Sequence, residues 1–132
     1  MSARWPLVCF AAMGVFWGTW AALLPDIKVR VGASDGELGL AMLGAGLGSL
    51  PAMVLTGRLW RRAGWWLVPV TAVAFAVATL GVIVATDPLS LGLALVFIGA
   101  SSGALDVAMN SAVSDVEVVH DRRLMYGAHA LF

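Results

Sequence analysis

The sequence predicts an all-α membrane protein that contains four spanning helices and the beginning of a fifth. Of its 132 residues, 61% are hydrophobic and only 12% are charged, and the mean hydropathy is +0.91. A soluble domain carries roughly 25% charged residues. The charges fall in short groups between long apolar runs, and these runs lack the period-two alternation of barrel strands. Helices that cross a membrane several times are therefore expected.

The first predicted span covers residues 5–24. Its 20 residues form roughly 30 Å of helix, which matches the hydrocarbon core and exceeds the apolar region of a signal peptide. A loop over residues 26–36 follows, in which Lys28 and Arg30 are expected to be solvated charges.

The second predicted span covers residues 38–56 and has a clear start signal. Ser34 and Glu37 form an S-x-x-E capping box directly before the apolar run. The span also contains several glycines and Pro51. Such residues are tolerated in membrane helices that pack closely against neighbours, so close packing and a bend are expected here.

The remaining helical segments are predicted at residues 65–86, 89–112 and 124–132. A basic loop at residues 57–64 precedes the third span, and Asp87-Pro88 forms the turn before the fourth. The last segment has only nine residues and is too short to cross a membrane. The sequence, residues 1–132, is therefore expected to be part of a larger transmembrane domain.

Basic residues in the loops predict that the N-terminus is cytoplasmic. In that orientation six arginines lie inside, and only Lys28 and Arg30 lie outside. The six are Arg4, Arg58, Arg61, Arg62, Arg122 and Arg123.

Enzyme chemistry, cofactors and metals have no support in the sequence. Cys9 is the single cysteine, so an internal disulfide and a multi-cysteine metal site are excluded. No phosphate loop, H-E-x-x-H zinc motif or Ser/His/Asp arrangement occurs. The formal net charge is zero, which gives no indication of a nucleic-acid partner.

Asp106 is the one acid inside a predicted span. An aspartate near the centre of a spanning helix costs roughly 3 kcal/mol on insertion, so a packing partner or a function is expected. At about 100° per residue, a small and polar stripe falls within about 80° of Asp106. The stripe contains Gly99, Gly103, Asn110, Ser114 and Glu117.

Two interpretations of this stripe remain open. In the functional one it lines a water-accessible path, where Asp106 exchanges a proton and Asn110 hydrogen-bonds a solute. In the structural one these two side chains bond to another helix, and the glycines allow close approach, as Gly14-x-x-x-Gly18 also would. His129, in the incomplete fifth helix, offers either an interior polar contact or a structural hydrogen bond.

Four strings resemble the N-terminal part of a major facilitator superfamily transporter. The nearest branch contains bacterial sugar/proton symporters of the fucose-permease type, and the resemblance covers essentially the whole chain. The fourth string is the most specific, together with the Arg-Leu-Met…His-Ala-Leu-Phe sequence downstream of it. The strings are Leu24-Pro25-Asp26-Ile27, Ser34-Asp35-Gly36-Glu37-Leu38-Gly39, Leu55-Thr56-Gly57-Arg58-Leu59 and Leu105-Asp106-Val107-Ala108-Met109-Asn110.

This resemblance implies a twelve-helix fold of two six-helix halves around a central solute cavity, which works by alternating access. The chain would supply helices one to four and the start of helix five, in the bacterial inner membrane. In that branch a carboxylate of helix four takes part in proton coupling, and an asparagine follows four residues later. Asp106 and Asn110 match these positions. The implied partners are a small-molecule solute, protons, membrane lipid and the remaining helices.

The loop between helices two and three departs from the family pattern, which usually reads G-x-L-x-D-R-x-G-R. Arg61 stands in place of the acid that helps to hold the closed cytoplasmic gate, so that gating contact is not implied here. Trp65 replaces the last arginine, and the fourth span lacks the arginine of many drug–proton antiporters. The residues that match the motif are Gly57, Leu59, Arg62 and Gly64.

Two other functions are left open by the residues alone. A four-helix exporter acting as a dimer has about this length, but its essential acid lies in the first helix, where this chain has none. A non-transporting membrane scaffold would need only the glycine-rich faces. Aqueous labelling of a cysteine placed at position 106 would distinguish transport from a scaffold.

Overall fold

The computed structural model describes residues 4–121 and 123–131, which contain helices and short connections but no strand. The helices are α1 (Arg4–Arg30), α2 (Asp35–Ala63), α3 (Leu67–Val84), α4 (Pro88–His120) and α5 (Met125–Leu131), with a 3-10 turn at Gly64–Trp66. Three helical stretches there are long and apolar enough to cross a membrane: α1, α4, and the 50 continuous residues that comprise α2, the 3-10 turn and α3. Arg122 and Phe132, assigned above to the cytoplasmic charges and to the fifth helix, lie outside the described residues.

Three of the long helices run past the ends that hydropathy predicted. Helix α1 continues through Pro25 to Arg30, α2 continues through the basic segment to Ala63, and α4 continues to His120. The predicted loops at residues 26–36 and 57–64 were therefore too long. A helix of 33 residues, such as α4, is roughly 50 Å long and exceeds the apolar core, because charged residues end a membrane span without ending a helix.

The predicted helix starts are confirmed by their side-chain caps. Ser34 Oγ accepts the Glu37 amide at 3.3 Å, and Glu37 Oε2 accepts the Ser34 amide at 2.9 Å, which completes the capping box. Asp87 Oδ1 accepts the Ser90 amide at 3.0 Å, with Pro88 in the first turn of α4. The backbone hydrogen bond from Ser90 is the main reason that the pKa of the exposed Asp87 carboxyl lies below its ordinary value.

Helices α2 and α3 both pack against α4, and they run in opposite directions. Gly44 and Gly57 of α2 meet successively later turns of α4, whereas Gly81 near the end of α3 meets Ala94 near the start of α4. Helix α2 is therefore parallel to α4, and α3 is antiparallel to it. The chain reverses at Gly64, whose φ of 52° lies in the left-handed region that glycine adopts without strain.

Helix α1 runs parallel to α3. Phe16 and Phe75 meet edge to face with ring centroids 4.9 Å apart, and Arg30 at the end of α1 reaches the end of α3. The four long helices thus alternate in direction. The described arginines that were expected in the cytoplasm belong to one end of the bundle: Arg4, Arg58, Arg61, Arg62 and Arg123.

Arg30 is exposed and Lys28 is partly exposed, as the sequence suggested, but both lie in the last turn of α1 and not in a loop, and both have partners. The Arg30 guanidinium donates to carbonyl groups at the end of α3, where the helix leaves acceptors without partners and where its dipole favours a cation. Lys28 forms an ion pair with Asp35, which links the end of α1 to the start of α2. The carbonyl oxygens bound by Arg30 belong to Val82 at 2.6 Å, Ile83 at 3.0 Å and Ala85 at 3.1 Å.

The closest contact between helices joins α2 and α4. Gly44 and Gly48 of α2 face α4, while Gly99 and Gly103 of α4 face α2. A methyl group at Gly99 would overlap the backbone of Ala45. Only residues without a side chain permit this separation, so the predicted close packing of the second span is confirmed.

The G-x-x-x-G spacing was predicted to allow close approach at Gly14–Gly18 and at Gly99–Gly103, and the pair on α4 does so within the described part of the chain. Nothing lies within 4 Å of the position that a Cβ at Gly18 would take, so Gly18 is not a close-approach site within the described residues. Helix α4 is the centre of the bundle: half of its most apolar stretch is buried, against 17% for that of α1.

Replacing Gly99 by alanine is expected to push α2 away from α4, because the new methyl group would occupy the space of the Ala45 backbone. Overpacking of this kind lowers the free energy of unfolding by roughly 1–3 kcal/mol. The measurement is an unfolding titration in mixed detergent micelles. Gly46→Ala is the matched control on α2, since nothing lies within 4 Å of that Cβ position. Equal stability of the two variants would contradict the close approach.

Arg30→Ala is expected to destabilise the bundle more than Lys28→Ala does. The arginine loses three hydrogen bonds to α3 carbonyl groups, whereas the lysine loses one exposed ion pair. Exposed ion pairs contribute about 0–1 kcal/mol, and charged hydrogen bonds contribute roughly 1.5–3 kcal/mol. The same detergent titration measures both variants, and an equal loss in the two would show that Arg30 does not fasten α1 to α3.

Candidate functional site

Asp106 and Asn110 form a hydrogen-bonded pair on α4. Asn110 Nδ2 donates to Asp106 Oδ1 at 3.0 Å and to the backbone carbonyl oxygen of Asp106 at 2.8 Å. A spacing of four residues brings two side chains onto successive turns of one helix face. Both residues are partly buried. Among the described residues, Asp106 Oδ2 and Asn110 Oδ1 have no hydrogen-bond partner, so both oxygens remain available.

This geometry contradicts the part of the structural interpretation in which Asn110 bonds to another helix. The amide of Asn110 bonds within α4, so it does not join α4 to another described helix. A carboxylate can accept several hydrogen bonds through its two oxygens, and here Asn110 occupies one of them. The second oxygen can take up a proton without breaking the pair.

Helix α5 brings His129 to the same region. His129 lies within electrostatic range of Asp106, and its ring lies 5.3 Å from the ring of Phe10 on α1. His129 Nδ1 is 3.0 Å from the carbonyl oxygen of Met125. Because a carbonyl oxygen only accepts, Nδ1 donates in this bond, and Nε2 is the ring nitrogen left for another partner. Helices α1, α4 and α5 therefore converge near Asp106.

The rest of the predicted stripe divides between packing and exposure. Gly99 and Gly103 face α2 and not a cavity, so their contacts fit the packing interpretation. Ser114 is exposed on α4, beyond Asn110. One stripe of α4 thus meets α2 at its glycines and becomes partly exposed at its polar residues.

The residues of the loop motif lie at the end of α2 and in the following reversal. Gly64 supplies the positive φ of the turn, and Gly57 faces Val107 of α4. Leu59 and Arg62 line a cavity of about 570 Å³ on the outside of α2. Within residues 4–121, none of the three arginines of this cavity forms an ion pair. Its lining is completed by Leu55, Arg58 and Arg61.

Glu117 is the residue whose role the sequence did not reveal beyond its place on the stripe. Its Oε1 accepts the backbone amides of Leu124 and Met125, the second at 2.7 Å. These amides begin α5, where a helix has no acceptors of its own. An acid eight residues before Met125, the first residue of α5, was the available signal. No sequence signal pointed to Phe10.

The part of the chain that the structure describes contains no group of side chains arranged to bind a metal ion. No three His, Cys, Asp or Glu side chains converge there. Cys9 is a partly buried free thiol that packs against Val68, Ala108 and Ala112, a setting typical of a small apolar side chain. Besides the partly buried Asp106 and Asn110, the described helices bury the hydroxyl groups of Thr56, Thr71 and Ser102.

Known proteins similar to this chain carry the names of transporters and membrane proteins. It is 38% identical over 128 residues to an uncharacterized MFS-type transporter of Yersinia pestis, covering 95% of the chain and 33% of the relative. It is 35% identical over 126 residues to an uncharacterized transporter of Sinorhizobium fredii, covering 93% and 33%. It is 28% identical over 121 residues to membrane protein MosC of Rhizobium meliloti, covering 91% and 30%.

The chain spans about a third of the length of these relatives. No family model matches it, and no solved structure matches it. The two most similar of these relatives are named as transporters and not as enzymes. Together with the three apolar helical stretches, the relatives support a helical membrane protein that crosses the bilayer more than once.

Proposed function

We propose that this chain is the N-terminal third of a major facilitator superfamily carrier that moves a small-molecule solute across the bacterial inner membrane. The names of the relatives support transport, and the chain spans 33% of the first two. It holds four long helices, so a protein three times as long has room for about twelve, as in the two-halves fold of such carriers. The arginines gathered at one end favour a cytoplasmic N-terminus.

In the proposed mechanism Asp106 carries the proton. A charged carboxylate inside a span is costly, and protonation removes that cost, so the protonation state can be coupled to which side of the membrane the site faces. Asn110 holds one carboxylate oxygen and leaves the other free to take up and release the proton. Solute binding beside this pair then completes a symport cycle by alternating access.

The observation that best supports this role is the Asn110–Asp106 hydrogen bond on a partly exposed part of α4. A carboxylate retained only for packing would be expected to bond to a neighbouring helix and to be enclosed there. Here the partner lies on the same helix, and one oxygen has no protein partner among the described residues. The solute belongs to the sugar class if the resemblance to fucose-permease-like proteins extends to substrate.

Asp106→Asn is expected to abolish proton uptake driven by solute, because an amide cannot exchange a proton. Cells or proteoliposomes with the complete protein are given a panel of neutral hexoses and deoxyhexoses, and alkalinisation of the medium is recorded. Asp115→Asn, an exposed acid of the same helix, is the matched control and should behave as wild type. If the Asp106→Asn protein alkalinises the medium as wild type does, Asp106 is not the proton carrier.

The coding sequence tests the proposed architecture directly. We expect the reading frame to continue past the codon for Phe132 and to add about eight apolar spans, the difference between twelve and four. A stop codon at that point would contradict the twelve-helix carrier. The chain would then be a small four-helix membrane protein, and its oligomeric state would separate a dimeric exporter from a scaffold.

A further inference from the structure

We propose that Glu117 is a positioning residue for the proton site: its carboxylate fastens the start of α5 to α4 and thereby holds His129 on the side of Asp106. That Asp106 carries a proton rests on the proposed function, whereas the contacts between Glu117 and α5 do not depend on it. It concerns a residue that touches neither the solute nor the proton.

The start of α5 depends on Glu117. A helix begins with amide groups that have no helical acceptor, and its dipole favours a negative charge at this end. Glu117 Oε1 accepts two of these amides, those of Leu124 and Met125. Helix α5 has only seven described residues, and helices this short do not persist without tertiary contacts. The carboxylate therefore fixes both where α5 begins and which way it points.

Met125 transmits this position to His129. Its amide donates to Glu117 Oε1 at 2.7 Å, and its carbonyl oxygen accepts from His129 Nδ1 at 3.0 Å. The histidine ring is thus tied to the peptide unit that Glu117 holds. On its other side the ring meets Phe10 of α1 at 5.3 Å, and the neighbouring Ala128 is fully buried.

The periodicity of α4 explains why this anchor serves the proton site. Glu117 follows Asp106 by 11 residues, about three turns, so the two side chains lie roughly 20° apart around the helix. Helix α5 packs against α4, and the amides at its start bind Glu117, so α5 begins on the face of α4 that carries Asp106. His129, one turn into α5, is the imidazole side chain that this helix brings within electrostatic range of Asp106.

The first test is amide hydrogen exchange on the complete protein in lipid nanodiscs. In Glu117→Ala the amides of Leu124 and Met125 lose their acceptor, and their exchange rates should rise about tenfold, the factor that corresponds to about 1.4 kcal/mol. Glu117→Gln keeps a neutral acceptor oxygen and should give about a threefold rise. Asp115→Asn removes a charge two residues away without touching α5, and it should leave both amides unchanged.

The second test is proton uptake in the same variants. Glu117→Ala should lose most sugar-driven alkalinisation, Glu117→Gln should restore most of it, and Asp115→Asn should match wild type. Rescue by glutamine distinguishes positioning from a proton-carrying role, because glutamine keeps the hydrogen bond but cannot titrate. A glutamine variant as inactive as the alanine variant would overturn the proposal.

Unchanged exchange at Leu124 and Met125 in Glu117→Ala would also overturn it. Unfolding of the alanine variant would instead raise exchange throughout α4. In that case the glutamine variant is decisive: a rise in exchange confined to Leu124 and Met125 supports the anchor, and the absence of any rise there overturns it. Failure of the proton function gives a different result. Asp106→Asn then retains alkalinisation, while Glu117→Ala still raises the exchange rates of the Leu124 and Met125 amides. That combination would support the anchoring role of Glu117 and reject only the proton role of Asp106.

Discussion

The backbone contact between α2 and α4 is the constraint on which the rest of the bundle depends. Lipid tails are as apolar as leucine, so helices in a membrane associate through tight packing of small residues. Gly44 and Gly48 meet α4 with almost no side chain between the backbones, and Gly99 is equally close to α2. With α2 held there, the reversal at Gly64 returns α3 along a different face of α4. Helix α4 therefore becomes the buried centre.

A central α4 gives its polar stripe three different surroundings along its length. The glycines meet α2, the Asp106–Asn110 pair is partly exposed, and Glu117 contacts the start of α5. From the start of α4 to its end, the same face thus provides glycines that pack against α2, a titratable carboxyl group, and the carboxylate that binds the start of α5.

Two helix ends in this bundle are satisfied by side chains from other helices. Arg30 of α1 binds the last carbonyl groups of α3, and Glu117 of α4 binds the first amides of α5. Each charge has the sign that the helix dipole favours at that end. Backbone groups near a bilayer need partners because water is scarce there. These two residues therefore connect helices that glycine packing alone does not join.

Local properties of the sequence determined the existence of four long helices, the cap at Ser34, the turn at Asp87-Pro88, and the position of Asp106 and Asn110 on one face of a helix. The structure added that Asp87 caps α4 and that Asn110 donates to Asp106. Apolar runs, capping residues and i, i+4 spacing each act over one or two turns, so a single sequence reveals them. Only the tertiary structure decided that α1, α2 and α4 extend past their apolar runs, and that Arg30 binds carbonyl groups more than 50 residues away. It also decided that Glu117 holds α5 beside Phe10. Such contacts depend on how all the helices pack together, and no local pattern encodes that arrangement.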